Sequence, residues 1–333
     1  MSVTSREVHL VSRPEGLPDP SNFEVVTTQV EGPADGEVMV RNLYMSVDPA
    51  MRPPMTNGQA PLNKALSGGA IGKVVESRNA ELPVGTYVQH RFGFREYFTS
   101  KSDELQKIVL DGEPLTTHFH VLGGTGFAAW GGLLIIGQLQ EGENVFVSAA
   151  AGSVGSFAAQ IAKIKNCRVA GSCGSDEKVA YLRDELHLDY AFNYNDVSVG
   201  RELHTGLPDG IDVFFDNVGG KQLDAAVGQM RLLGRVAICG QISGYNNRGA
   251  RSEGVTTLAN TIYNRVTLRG FTVTEFESRR DEFLRDMRGW LDAGKITYRE
   301  TIMDGIEQAP EAFIGMMQGE NIGKMLVRLG SDD

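Results

Sequence analysis

The chain has 333 residues, 41% hydrophobic and 22% charged, with a formal net charge of −10. That composition is globular, with length for one large or two ordinary domains. The acidic balance argues against nucleic acid or an anionic membrane as partner, no apolar run is long enough to span a bilayer, and three cysteines make no disulfide framework.

The first residues, Met1-Ser-Val-Thr-Ser-Arg-Glu7, hold no apolar signal core, so a cytoplasmic setting is expected. Residues 1–120 read as short strands punctuated by turns, such as Glu37 to Tyr44 and Gly72 to Glu76, which predicts an all-β domain, a small barrel. Pro49, Pro53 and Pro54 predict an irregular loop with no regular element. Phe127 to Gly137 is a nearly apolar stretch and predicts a buried helix.

From about residue 121 to 295 strands alternate with helices. The strands are Val145–Ser148, Arg168–Ser172, Tyr190–Asn193, Ile211–Asp216, Arg235–Cys239 and Thr267–Val273. The helices include Ser153–Lys165, Glu177–Glu185 and Gly220–Met230. This alternation predicts a parallel, doubly wound α/β sheet of the Rossmann kind. Arg279 to Ala293 is amphipathic, with Phe283, Leu284, Met287 and Leu291 on one face. The segment 296–333 predicts a strand (Ile296–Thr301), a helix (Ile306–Met317) and a last strand (Lys324–Leu329) that returns to the first domain.

The most informative stretch joins Val145–Val147 to the helix at Ser153. It reads Ala150-x-Gly152-x-x-Gly155, the dinucleotide fingerprint with Ala in the first glycine place. Gly152 allows close approach to a pyrophosphate, Gly155 allows close packing of helix on strand, and the helix start offers N–H groups to phosphate. The next strand ends Ala170-Gly-Ser-Cys173 without the acid that grips a ribose in NAD enzymes. Asp176 and Glu177 read as the N-cap and first turn of the following helix, and Lys178 stands ready for a 2′-phosphate. NADP(H) is therefore the expected cofactor. Asp216-Asn-Val-Gly-Gly220 and Gly240-Gln-Ile-Ser-Gly-Tyr245 both follow strand ends, where ligands sit in open α/β sheets. Only His118 and His120 stand close among the six histidines, so no metal site is expected, and no Gly-x-Ser-x-Gly elbow is present.

Taken together, these residues resemble the medium-chain dehydrogenase/reductase superfamily over nearly the whole chain. The similarity is to its zinc-free branch of prostaglandin reductases, leukotriene hydroxydehydrogenases and curcumin-type double-bond reductases. The matching stretches are Ser46-Val-Asp-Pro49, Met51-Arg52, Ala149 to Gly155, Gly174 to Leu182, Phe192-Asn-Tyr194, Phe215 to Gly220, Gly234 to Gly240 and Asn321-x-Gly-Lys324. Zinc-containing cousins would carry Cys near position 46 and Gly-His-Glu near 68, where this chain has Gly68-Gly69-Ala70.

The resemblance implies a GroES-like β-barrel-type first domain, NADPH, and a homodimer built across the Rossmann sheet edge. It implies that Gly152, Ser153, Val154 and Gly155 cradle the pyrophosphate and that Lys178 meets the 2′-phosphate. Tyr194, Asn217, Cys239, Ser243, Tyr245 and Asn321 would line the cofactor cleft. Tyr263, in Thr261-Ile-Tyr-Asn-Arg265, matches the family's substrate-carbonyl tyrosine. The implied reaction is reduction of the C=C bond of an α,β-unsaturated ketone or aldehyde, with the enolate held by Tyr263 and the cofactor's ribose hydroxyl. A quinone reductase, an alcohol dehydrogenase or a non-enzymatic NADPH-binding protein on the same scaffold remain the alternatives. The family's Asp-Pro-Tyr-Met-Arg is here Asp48-Pro-Ala50-Met-Arg52, which leaves room for a differently shaped substrate. The glycines of the Gly244–Leu258 loop would permit it to close over a cofactor.

Overall fold

The computed structural model describes residues 2–247 and 254–331. Residues 248–253 of the Gly244–Leu258 loop, and with them the question of its closure, lie outside the described residues. Two units emerge: 1–116 with 300–321 and 325–333, and 117–299 with 322–324.

In the first unit, β1 (Val3–Leu10) pairs antiparallel with β2 (Phe23–Val30). A larger antiparallel sheet has β3 (Glu37–Ser46) paired with β4 (Ala70–Ser77) and β6 (Tyr97–Lys101), while β5 (Tyr87–His90) pairs with β4, and β7 (Gln106–Ile108) pairs with β5. Val38, Val40, Val74, Val88 and Phe98 form one apolar cluster. Met45, Val47 and Phe94 join Val8, Leu10 and Phe23 in another. The prolines do not make a structureless loop. Pro49 opens a 3-10 turn, and α1 (Arg52–Asn57) carries Pro53 and Pro54 in its first turn. Amide hydrogens there have no acceptor inside the helix, so proline removes nothing.

The second unit begins with α2 (Gly124–Gly131), which continues as one wider turn over Gly132–Ile136. Then come β8 (Asn144–Val147), α3 (Ser153–Ile164), β9 (Arg168–Cys173), α4 (Asp176–Ala180), β10 (Tyr190–Asn193) and α5 (Val199–Gly206). β11 (Ile211–Asp216), α6 (Gly220–Val227), β12 (Met230–Ile238), α7 (Ala259–Tyr263), β13 (Thr267–Gly270) and α8 (Arg280–Asp292) complete it. The six strands are parallel in the order β10-β9-β8-β11-β12-β13, the doubly wound Rossmann arrangement. Alternate residues serve opposite faces. Val145, Val147, Val213 and Phe215 pack with Phe127, Trp130 and Phe283, whereas Phe146, Phe214 and Val236 pack with Leu203 and Ala226. β13 ends three residues before the sequence predicts, because Thr272 and Glu275 form a capping box that opens the 3-10 segment Val273–Arg279. Among the described residues no helix is long and apolar enough to cross a membrane.

The tail contains β14 (Glu300–Asp304), α9 (Ala309–Gln318) and β15 (Lys324–Arg328). β14 starts later than expected: Ile296 is buried in the second unit's core, and Thr297 bonds the Gln160 side chain instead of a strand. β15 pairs antiparallel with β3, with Val327 opposite Met45.

Candidate active site

At the carboxyl end of β8 the chain turns sharply through Ala149, which holds φ at 48°. Gly152 then caps α3 without any side-chain cap bond. The amides of Ser153, Val154 and Gly155 stand in the first helical turn, where helix geometry supplies no acceptor. Gly155 has no alternative: a Cβ there would lie 2.3 Å from the Ala149 carbonyl oxygen and 2.8 Å from Ala150 Cα. Gly152 is less confined, with the Ala149 oxygen 3.3 Å from its Cβ position. Space above Gly152, uncapped amides and a positive helix end form a cradle that fits a pyrophosphate. Ser153 Oγ is 2.8 Å from Thr125 Oγ1 on α2, so its side chain is anchored to the scaffold.

The chain's last segment braces this turn. Gly323 N donates to Ala151 O at 2.9 Å and bridges Gly152. Gly323 has φ 68°, and a Cβ would sit 1.9 Å from the Arg299 oxygen. Asn321, two residues earlier in the chain, falls in the first unit.

The neighbouring strand supplies the cation. Ser175, not Asp176, is the N-cap of α4, accepting from Lys178 N at 3.3 Å. Asp176 and Glu177 occupy the exposed first turn. Lys178 is half-buried, and that burial lowers its pKa despite the opposing pull of Cys173 and Glu177. Tyr194, just past β10, donates its amide to Cys173 O at 3.0 Å, and its Oη lies 3.2 Å from where a Gly174 side chain would start. Burial raises the pKa of this phenol.

On the other side of β8, Asn217 follows β11. Its amide donates to Ser148 Oγ at 2.8 Å, and its Nδ2 donates to Ser148 O at 2.7 Å. Cys239 follows β12, with its amide on Asp216 O at 2.8 Å. Desolvation, then the charge of Asp216, push the Cys239 thiol up to about 12, so it stays protonated. Ser243 Oγ donates to Val218 O at 2.6 Å, and Tyr245 Oη accepts from Gln241 N at 3.3 Å. Gly152 to Gly155, Lys178, Tyr194, Asn217, Cys239, Ser243 and Tyr245 thus share the carboxyl edge of one sheet. Gly270 pairs with Ile238, so Phe271 and Thr272 also emerge beside Cys239 and Gly240. Reading a strand through Val273 hid these residues. The Gly270 position, where a Cβ would meet nothing within 4 Å, is a signal visible only in the fold.

Tyr263 does not join them. It ends α7, which feeds β13 at its amino end. Asn264 Nδ2 donates to Met230 O at 2.8 Å, and Leu233 N donates to Asn264 O at 2.7 Å, both at the start of β12. A connection between parallel strands must return from carboxyl end to amino end, which carries a residue just before β13 away from its own chain's site. Tyr263 is 79% exposed there. Among the described residues, no three His, Cys, Asp or Glu side chains are grouped to hold a metal.

The chain is similar to known oxidoreductases along nearly its whole length. Residues 6–108 match the family described as the N-terminal domain of oxidoreductase, and residues 153–288 match the one described as zinc-binding dehydrogenase. Prostaglandin reductase 1 of Rattus norvegicus is 42% identical over 94% of this chain and 96% of its own. NADPH-dependent curcumin reductase of Escherichia coli (strain K12) is 36% identical over 97% and 96%. The crystal structure of CurA in complex with NADPH from Vibrio vulnificus superposes with a TM-score of 0.92 at 36% identity, covering 98% of this chain and 99% of that one.

Proposed function

Because the chain belongs to the medium-chain dehydrogenase/reductase family, in its branch of prostaglandin and curcumin reductases, we propose that it catalyses NADPH-dependent reduction of the C=C bond of α,β-unsaturated ketones or aldehydes. The observation that carries this reading is the uncapped start of α3 with Lys178 beside it at the next strand end. The amides of Ser153, Val154 and Gly155 bind the pyrophosphate, and Lys178 takes the 2′-phosphate. Tyr194, Asn217, Cys239, Ser243, Tyr245 and Asn321 line the rest of the cofactor site. The first unit and the returning tail carry substrate contacts, and the second unit carries the cofactor. When bound, NADPH supplies a hydride to the β-carbon. Negative charge then gathers on the carbonyl oxygen, which needs a fixed donor, and a proton from solvent completes the α-carbon. A tyrosine hydroxyl is such a donor.

That donor comes from a second copy. β13 is the outer strand of its sheet, and Leu232, Leu233, Leu258, Ile262 and Tyr263 are exposed near its amino end. Apolar side chains exposed together in this way fit a surface covered by a partner. Two β13 strands paired antiparallel about a two-fold axis bring the amino end of one beside the carboxyl end of the other. Tyr263 of one protomer then faces its partner's carboxyl edge. The enzyme works in the cytoplasm, in keeping with Cys167, Cys173 and Cys239, none of which forms a disulfide.

The test is absorbance loss of NADPH with a small α,β-unsaturated ketone, with NADH in parallel and the product identified. The expected result is NADPH consumption to the saturated ketone. An allylic alcohol product overturns the reading, and so does NADPH binding without turnover on any enone, enal or quinone.

A further inference from the structure

Ser148 and Asp216 are both fully buried at the carboxyl ends of β8 and β11. Asp216 Oδ1 accepts three donors at 2.9 Å: Ser148 Oγ, Val218 N and Gly219 N. Ser148 Oγ in turn accepts the amide of Asn217, and Ser148 O accepts its Nδ2. The Asp216 carbonyl accepts the amides of Cys239 and Gly240, at 2.8 and 3.1 Å. One residue therefore ties together the ends of β8, β11 and β12. Its second carboxylate oxygen, Oδ2, is buried with no hydrogen-bond partner. A buried oxygen left unpaired opposes stability, so stability alone does not account for an acid here. An oxygen that accepts three donors at once does: the carboxylate is present for what Oδ1 holds.

In a doubly wound sheet the strands on each side of the switch point hold one mononucleotide each. Lys178 marks the β9 side as the adenosine half, which leaves β11 and β12 to the nicotinamide half. We infer that Asp216 is a positioning residue that fixes Asn217 and Ser243 around the nicotinamide half of the cofactor, through Ser148 and the Val218–Gly219 turn. The inference rests on the proposed cofactor site. Removing Asp216 frees these loops while the phosphate cradle and Lys178 remain, so binding survives and alignment does not.

The experiment uses the full chain with Asp216→Ala, Asp216→Asn and Ser148→Ala. It reads the Kd for NADPH, the fluorescence of bound NADPH, hydrogen exchange at the Asn217–Gly219 amides without cofactor, and kcat against KM. Asp216→Ala is expected to lower kcat about 10–100-fold and to abolish the fluorescence change seen with wild type. Its exchange at 217–219 is expected to quicken, while the Kd for NADPH stays within about 5-fold, since charge-assisted phosphate contacts dominate it. Asp216→Asn keeps an acceptor oxygen and is expected to restore both kcat and fluorescence. A folded Asp216→Ala protein with wild-type fluorescence, exchange and kcat overturns the inference, as does an Asn variant no better than Ala. If the Ala variant does not fold, Ser148→Ala decides by the same readings. A wild type that binds NADPH but reduces no enone sinks the proposed reaction while fluorescence and exchange still judge Asp216. A wild type that binds no NADPH sinks both.

Discussion

At the carboxyl end of the parallel sheet, polar groups are turned on one another. Ser148, Asp216 and Asn217 bond across two strands, Val218 O receives Ser243 Oγ, and Gly323 N reaches Ala151 O. At the amino end of β12 and β13 the chain instead leaves Leu232, Leu233, Ile262 and Tyr263 exposed, two of them on a strand that bulges between Ile211 and Val213 of its neighbour. One end is closed by its own hydrogen bonds and is ready for a small anionic ligand. The other is apolar and open, and has the character of a surface meant for protein. The difference teaches that the two ends of the same six strands are built for different things, and under the proposed function one end serves chemistry and the other assembly.

The comparison breaks first at Gly155. In Gly155→Val the new side chain must enter the space held by the Ala149 oxygen and Ala150 Cα, both backbone atoms. That displaces the turn whose amides face the pyrophosphate, so titration calorimetry on the folded variant should find NADPH affinity reduced by roughly 100-fold or more, about 2.7 kcal/mol. Retained affinity would mean that the turn is not the phosphate cradle.

Next comes the apolar end. Leu233→Glu should shift sedimentation from dimer to monomer and lower kcat about 10²-fold, the effect of one lost oxyanion donor. Tyr263→Phe should lower kcat by a similar factor and leave the dimer intact. A monomeric Leu233→Glu enzyme with full turnover would show that each chain's site is complete alone.

The smallest effect sharpens the contrast between phosphate and ribose recognition. Lys178→Ala removes a charge-assisted contact of about 1.5–3 kcal/mol, which predicts a Kd for NADPH raised roughly 10–100-fold. NADH, lacking the 2′-phosphate, should bind almost as before, and equal losses for both cofactors would assign Lys178 another task.

Much of the molecule was readable from residue order because the signals were local. Alternating strands and helices set a parallel sheet, and the spacing of Ala150, Gly152 and Gly155 marked its fingerprint turn. Lys178 after a strand lacking a terminal acid pointed to a phosphorylated cofactor. Errors fell where a competing local signal won: Pro53 and Pro54 suit the first turn of a helix, and the Thr272–Glu275 capping box opens a 3-10 segment inside an expected strand.

The sequence by itself determined which elements form and which glycines must bend or approach closely, since backbone sterics and side-chain periodicity act within a few residues. Only the tertiary structure decided that Asp216 joins three strand ends, that Gly323 braces the fingerprint turn from 171 positions away, and that Tyr263 sits at the far end of its own sheet. Those facts depend on which strand lies beside which and on the direction in which each runs, and no short stretch of chain encodes either.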